Sequence, residues 1–152
     1  RPAFPTASGR AILHTHTMPP LTGEGDELRL MTVRSEGQFN TVVYEEEDVY
    51  RGQDRRDVIL LHPNDLEHLG LADDELVTVR SDTGTLPNIR ARAFDSIRPG
   101  NALMYYPEAN VLVARRADPQ SKTPAFKGVV VRIERQTAEH DRATSNATES
   151  RR

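Results

Sequence analysis

The stretch that decides the fold class is Glu75-Leu76-Val77-Thr78-Val79-Arg80-Ser81, then Asp82-Thr83-Gly84, then Ile89-Arg90-Ala91-Arg92-Ala93-Phe94. In its first run, Val77 and Val79 fall on one face. In its last run, small apolar residues alternate with arginines. Alternation on both sides of a Gly-containing turn predicts a β-strand and its return strand.

Further short runs surround this hairpin. Residues 27–32 alternate, residues 58–61 are Val-Ile-Leu-Leu, and residues 102–106 and 128–134 are again β-like. Residues 10–17 could add one more strand, and Pro99-Gly100 predicts a type II turn. About six or seven short strands at this spacing predict a mainly β domain with short helices, either a closed barrel or a sandwich.

One short helix interrupts the strands. Pro63 suits the first helical position, and Asp65 adds negative charge to the first turn. Gly70 predicts a left-handed end, and His62 falls at the N-cap. His62 and His68 flank this helix at a spacing that does not stack metal ligands, so both are interpreted as structural.

Composition sets limits on function. The chain has 152 residues, a formal charge of −3 and no cysteine, which excludes disulfides, thiolate metal sites and iron–sulfur ligands. We expect no nucleic-acid or membrane partner, since positive charge is only local and no apolar run is long enough to span a bilayer. The Arg1 start indicates a piece of a longer protein, and we expect a cytoplasmic location.

Domain organisation follows from the polar ends. Residues 1–26 are rich in Pro and Gly and form a lead-in segment. Residues 27–135 carry the predicted β-domain, and residues 136–152 are predicted to be a disordered polar tail.

Catalytic signatures are weak. His14 and His16 have no third ligand at a suitable spacing, so a metal site is disfavoured. The acidic residues 45–48, within a charged stretch at 45–57, are interpreted as a solvated face of an exposed loop. No G-x-S-x-G, P-loop or G-x-G-x-x-G pattern is present.

Two polar signatures are left after this search. The first is Arg34-Ser35-Glu36-Gly37-Gln38-Phe39-Asn40-Thr41; the second runs from Tyr105-Tyr106-Pro107-Glu108-Ala109-Asn110 to Ser121-Lys122-Thr123-Pro124-Ala125-Phe126-Lys127. Amides, hydroxyls and a few cations close to strand ends suit a large polar ligand that bears phosphate. The same groups could instead satisfy loop backbones or simply be solvated.

Order and spacing of several motifs resemble the C-terminal molybdopterin dinucleotide-binding domain of molybdopterin oxidoreductases, with the formate-dehydrogenase-like alpha subunits as the most similar branch. The resemblance spans roughly residues 4–134. It is carried by these segments: Phe4-Pro5-Thr6-Ala7-Ser8-Gly9-Arg10, Leu30-Met31-Thr32-Val33-Arg34, Gln38-Phe39-Asn40-Thr41, His62-Pro63-Asn64-Asp65-Leu66 with Leu69-Gly70-Leu71, Asp73-Asp74-Glu75-Leu76-Val77-Thr78-Val79, Pro107-Glu108-Ala109-Asn110-Val111-Leu112, and Asp118-Pro119 with Ser121-Lys122-Thr123-Pro124-Ala125-Phe126-Lys127.

The resemblance implies a double-psi β-barrel, a closed six-stranded, aspartate-decarboxylase-like fold. It also implies that the chain binds molybdopterin guanine dinucleotide, two copies of which (bis-MGD) chelate molybdenum or tungsten held mainly by other domains. The cofactor-binding residues that it implies are Thr32, Arg34, Ser35, Gln38, Phe39, Asn40, Thr41, Asn110, Ser121, Lys122, Phe126 and Lys127. Gln38, Asn40 and Asn110 would meet ring edges; Arg34, Lys122 and Lys127 would meet oxygens of phosphate or pterin; Phe39 and Phe126 would pack on rings.

The family pattern is not complete. Val33 replaces the usual Gly, His62 replaces the usual Asn cap, and Gln38-Phe39-Asn40-Thr41 replaces paired histidines, which indicates a divergent branch. We expect a cofactor-holding module whose partners are the remaining domains or a catalytic subunit, with no catalytic residue of its own. A standalone molybdopterin-binding subunit and a double-psi barrel protein-interaction module are the alternatives.

Overall fold

The computed structural model describes residues 3–17, 25–35, 37, 38 and 45–136. Six strands form a closed barrel: β1 (Leu28–Val33), β2 (Val58–Leu61), β3 (Glu75–Arg80), β4 (Thr85–Ala93), β5 (Asn101–Tyr105) and β6 (Val129–Arg135). Helix α1 (Pro63–His68) and a 3-10 helix (Glu108–Leu112) lie between strands. The mainly β, closed six-stranded barrel is thereby confirmed, and it is consistent with the double-psi type.

Strand order around the barrel is β1-β5-β2-β4-β3-β6. The pairs β1/β5 and β2/β4 are parallel, and the other neighbours are antiparallel. The predicted hairpin is the β3–β4 pair. Parallel pairing of β1 with β5 joins strands that are far apart in sequence, and this brings the loops that follow them to the same end of the barrel.

The barrel interior is filled by the inward side chains of every strand. Leu30, Ile59, Val77, Val79 and Met104 have almost no exposure. Strand β2 is buried on both faces, because Val58 and Leu60 pack with Tyr105 in a second cluster outside the main core. The lack of alternation in Val-Ile-Leu-Leu has this cause.

Helix α1 begins and ends as its sequence predicts. The Nδ1 atom of His62 accepts a hydrogen bond from the Asn64 backbone N–H at 3.0 Å, so histidine replaces the usual N-cap residue. Gly70 has φ +66°, the left-handed conformation expected just after a helix. Asp65 also accepts from the Gly100 N–H at 2.9 Å and ties the helix to the turn before β5.

Two predictions were wrong. Residues 10–17 form no strand and are exposed. The stretch 45–57 is not uniformly exposed, because Asp48, Gln53 and Arg56 are only 1%, 8% and 6% exposed. Each also has a partner in a distant segment, which the local sequence does not show: Tyr105 for Asp48, Arg92 for Gln53 and Glu108 for Arg56.

The predicted polar tail lies outside the described residues apart from Gln136, whose backbone N–H reaches the Leu76 carbonyl at 3.4 Å. Within the part of the chain that the structure describes, no helix has both the length and the apolar character needed to cross a bilayer.

Candidate functional site

The carboxyl ends of β1 and β5 lie side by side. Val33 pairs with Tyr105, and the Tyr106 N–H donates to the Val33 carbonyl at 2.8 Å. Arg34 and Tyr106, the residues that directly follow β1 and β5, therefore leave the barrel at neighbouring points. Parallel pairing is the reason, since it places the ends of both strands on one rim.

The segment before β6 reaches the same rim. Strand β6 is antiparallel to β1, so its start lies beside the end of β1, with Val129 opposite Leu30. The Thr32 N–H donates to the Phe126 carbonyl at 3.1 Å. Three sequence segments that are far apart along the chain thus meet at one end of the barrel.

A groove of about 620 Å³ opens between these segments. This volume is in the range of ligand-binding clefts. The groove offers guanidinium groups, one side-chain amide, two aromatic rings and small apolar surfaces. Its lining residues are Arg34, Tyr106, Asn110, Val111, Val113, Ala114, Arg115, Pro124 and Phe126.

Cations and aromatic rings are paired around the groove. The Arg34 guanidinium lies 5.9 Å from the centre of the Tyr106 ring, and the Lys127 ammonium lies 5.5 Å from that of Phe126. Lys127 also donates to the Thr32 carbonyl. Burial lowers the pKa of Lys127, and the charges of Arg34 and Arg51 lower it further. An anion placed among these groups would relieve their mutual repulsion.

Beneath the rim, Ser35 and Gln38 are buried and do not line the groove. The Gln38 Oε1 atom accepts from the Ser35 N–H at 3.2 Å, and its Nε2 atom donates to the Tyr106 carbonyl at 2.8 Å. Gln38 therefore links the loop after β1 to the end of β5. Thr32 is likewise buried, at the last inward position of β1.

Arg56 is the centre of this buried layer. It donates to Glu108 through Nε at 2.6 Å, and it also reaches Ser35 Oγ and the Tyr106 carbonyl, each at 2.7 Å. The Glu108 hydrogen bond raises the pKa of Arg56, against the opposing effect of burial. Both charges are thus paired, as buried charges must be.

A second buried group supports the backbone of Arg34 through Arg51. Asp48 accepts from the Tyr105 hydroxyl at 2.8 Å and pairs with Arg51, which also donates to the Arg34 carbonyl at 3.2 Å. Burial acts against the ionisation of Asp48, yet hydrogen bonds from Arg51 and Tyr105 bring its pKa below the ordinary value. Burial, together with the Asp48 carboxylate, raises the pKa of Tyr105.

The β3–β4 turn holds the 3-10 helix that carries Asn110. The hydroxyls of Ser81 and Thr83 donate to the Leu112 carbonyl at 2.8 and 2.9 Å. Gly84 lies so close that a Cβ atom there would be 2.2 Å from the Val111 carbonyl oxygen. This contact explains why a turn in the hairpin matters for the position of the groove wall.

The sequence-predicted site residues therefore occupy different places. Arg34, Asn110 and Phe126 line the groove, and Lys127 lies at its edge. Ser121 and Lys122 lie in an exposed turn, in which Asp118 Oδ1 accepts from the N–H groups of Gln120 and Ser121 at 3.0 and 2.7 Å. Phe39, Asn40 and Thr41 fall outside the described residues.

Sequence reasoning missed part of the groove wall and its support. Arg115 was not named as a site residue, and its place in the groove lining depends on the fold and not on the local sequence. Asp48 and Arg56 were interpreted as solvated. One signal was available for Arg56, because it lies only two residues before the fully buried run of β2. The other lining residues that were not named as site residues are Tyr106, Val111, Val113, Ala114 and Pro124, of which Tyr106 and Pro124 belong to the second signature.

Comparison with known proteins identifies the family of this barrel. The family described as "Molydopterin dinucleotide binding domain" matches residues 28–130. An uncharacterized oxidoreductase of Mycobacterium tuberculosis (strain H37Rv) is 36% identical over 141 residues, covering 86% of this chain. Protein YdeP of Escherichia coli O6:H1 is 28% identical over 143 residues, covering 85% of this chain. The chain spans 18% of the length of each.

A solved structure shows the same fold. Acetylene hydratase from Pelobacter acetylenicus superposes with a TM-score of 0.51 at 18% sequence identity, covering 72% of this chain and 18% of that one. At this identity the likeness concerns the fold alone. The family match over the barrel, together with the 36% identity to the mycobacterial relative, decides the assignment. The chain belongs to the molybdopterin dinucleotide-binding domain family.

Proposed function

We propose that this chain is the cofactor-binding domain of a molybdenum or tungsten oxidoreductase and that it holds molybdopterin guanine dinucleotide in the groove on the barrel rim. The observation that carries the proposal is that Arg34, Asn110 and Phe126, from three separate segments, line one groove of about 620 Å³. The relatives named as oxidoreductases support the reaction class. When bound, the cofactor supplies two-electron redox chemistry at its metal.

The donor set of the groove fits such a group. Guanidinium groups of Arg34 and Arg115 suit the phosphates of a dinucleotide, which they can meet with paired N–H donors. The Asn110 side chain offers both a donor and an acceptor to a heterocycle edge. Phe126 and Tyr106 offer ring faces or edges for stacking. These residues bind and orient the cofactor, and none of them acts as a nucleophile or an acid–base group.

The buried layer has a different task. Asp48, Gln38 and Arg56 make their hydrogen bonds inside the protein, as the distances above show. They keep the rim loops in place before the ligand arrives, so that less order has to be created on binding. The proposal therefore separates residues that touch the cofactor from residues that hold the groove.

The substrate of the parent protein is a more specific prediction than its reaction class. A formate-dehydrogenase-like reaction stays a prediction from motif resemblance, as do the use of two guanine dinucleotides and the remaining domains as partners. The mycobacterial relative is named an uncharacterized oxidoreductase, and the structural neighbour is named a hydratase. Fold likeness does not select among these chemistries.

The test uses the full-length protein that carries this chain. Arg34→Met and Asn110→Ala are purified, and their molybdopterin dinucleotide content per protein is compared with that of the wild type. A charge-assisted hydrogen bond contributes about 1.5–3 kcal/mol, so we expect Arg34→Met to weaken retention at least about tenfold. Arg116→Met and Asn64→Ala are matched controls, because both residues are exposed and lie outside the groove lining.

Folding has to be checked alongside. Arg34 and Asn110 are both exposed, so their variants should melt close to the wild type. Full cofactor content in both groove variants would refute the assignment. Equal loss of cofactor in the groove variants and in the controls would show that cofactor binding does not depend specifically on Arg34 and Asn110, and it would also count against the assignment.

A further inference from the structure

Arg56 joins the two polar signatures without lining the groove. It lies just before β2 and is 6% exposed. Toward the first signature it reaches Ser35 Oγ at 2.7 Å and Gln38 Oε1 at 3.4 Å. Toward the second it reaches the Tyr106 carbonyl at 2.7 Å and both carboxylate oxygens of Glu108, at 2.6 and 3.1 Å.

These contacts lie next to the groove residues. Ser35 directly follows Arg34 in the chain. Tyr106 lines the groove and Glu108 begins the 3-10 helix, whose Asn110 N–H donates to the Pro107 carbonyl at 2.9 Å. A shift of the Arg56 guanidinium would therefore move Ser35 on one wall of the groove and Tyr106 and Glu108 on the other.

Charge neutralisation alone does not explain this arrangement. A buried ion pair can often be replaced by apolar groups without loss of stability. The planar guanidinium can meet several acceptors at fixed angles, whereas an ammonium is a compact point charge on a flexible stem. Here the acceptors belong to both loops. The guanidinium also lies 5.0 Å from the centre of the Tyr105 ring, which holds its plane beneath the rim.

We infer that Arg56 is a positioning residue that sets the separation of the two groove walls, and with it the spacing between Arg34 and Asn110. It acts through Ser35, the Tyr106 carbonyl and Glu108, and it does not touch the ligand. The relevance of this spacing to cofactor retention rests on the proposed function. The link that Arg56 makes between the two loops does not rest on the proposed function, because all of its contacts are within the protein.

The test compares Arg56→Lys with Val77→Ala in the full-length protein. The lysine variant keeps the positive charge but cannot span both loops. Val77 is fully buried in the barrel core and contacts neither loop through the hydrogen bonds above, so its variant provides a loss of stability unrelated to this link. Glu108→Gln, which keeps an acceptor for Arg56, is the milder variant should Arg56→Lys fail to fold.

Amide hydrogen exchange in the cofactor-free protein is the first readout. In Arg56→Lys we expect exchange at Ser35, Gly37 and Gln38 and at residues 106–113 to accelerate at least about tenfold relative to Val77→Ala, after both are referred to their own melting temperatures. Glu108→Gln should accelerate the same two segments by a smaller factor. Unchanged exchange in both Arg56→Lys and Glu108→Gln, or acceleration spread evenly over the barrel, would overturn the inference.

Cofactor content is the second readout. Arg56→Lys should lose several-fold more molybdopterin dinucleotide than Val77→Ala. In the double variant with Asn110→Ala, the loss should be smaller than the product of the single losses, since the two residues serve one contact. Independent losses would overturn the positioning role. A wild-type protein that carries no such cofactor would instead refute the proposed function, and the exchange result would still decide whether Arg56 ties the loops.

Discussion

Gly84 is the point at which the β3–β4 turn touches the wall of the groove. Its backbone approaches the 3-10 helix so closely that an added Cβ would lie 2.2 Å from the Val111 carbonyl oxygen and 3.0 Å from its carbon. We predict that Gly84→Ala lowers stability and displaces Val111, a lining residue of the groove. The φ of Gly84 is not in the left-handed range, so steric contact is the only cause.

The size of the effect follows from this contact. Ordinary contact begins near 3.4 Å, so the helix and the turn have to separate by about 1 Å. Both partners are backbone atoms, and the turn is also held by Ser81 and Thr83 at the Leu112 carbonyl. Overpacking of this kind costs about 1–3 kcal/mol. For a barrel of this size, we expect the melting temperature to fall by about 5–15 °C.

The assay is thermal and urea unfolding followed by circular dichroism, with Gly128→Ala as the matched control. A Cβ at Gly128 meets no heavy atom within 4 Å, and its φ is also outside the left-handed range. That variant should change stability by no more than about 0.5 kcal/mol. If Gly84→Ala had the same melting temperature as Gly128→Ala and the wild type, the close packing of the turn on the 3-10 helix would be refuted.

Two more predictions concern charged groups near the rim. Asp48→Asn should cost about 1–3 kcal/mol at neutral pH, because it weakens the buried acceptor of Tyr105 and Arg51. The pKa of Asp48 is lowered in the folded protein, so its contribution is present above its ordinary value of 3.8 and is lost as the pH falls through the lower folded value. In urea unfolding between pH 2 and 7, the free energy of unfolding should accordingly fall less with decreasing pH in Asp48→Asn than in the wild type. Parallel pH profiles of the two proteins would contradict this. Lys127→Ala should weaken retention of the dinucleotide by about 1.5–3 kcal/mol, measured as cofactor content of the full-length protein; unaltered content would remove Lys127 from the site.

The strands were predictable because their signals are local. Alternation in residues 75–80 and 89–93 and the unbroken apolar run of β2 each reflect which faces are buried. The helix was predictable for the same reason, since Pro63 and Gly70 act within one turn of its ends. The parallel register of β1 with β5 has no local signal. The resemblance of the ordered motifs to a known family implied the closed double-psi barrel as a whole, and no strand pairing other than the hairpin was predicted.

The groove was predictable in part. Arg34, Asn110 and Phe126 were named as site residues through the resemblance to the family, and Arg34 and Asn110 also stood out as polar groups close to strand ends. The buried layer was not predicted. In sequence, Asp48 belongs to an acidic run and Arg56 to an arginine pair, and both patterns are typical of solvated loops. Their partners, Tyr105 and Glu108, lie more than fifty positions away.

The measurement that tests the central claim most directly is a structure of the full-length protein with its cofactor bound. We predict that the dinucleotide lies in the rim groove, with polar atoms within about 3.2 Å of the Arg34 guanidinium and of the Asn110 side-chain amide. A dinucleotide that contacts neither residue, and lies instead on another face of the barrel, would contradict the account.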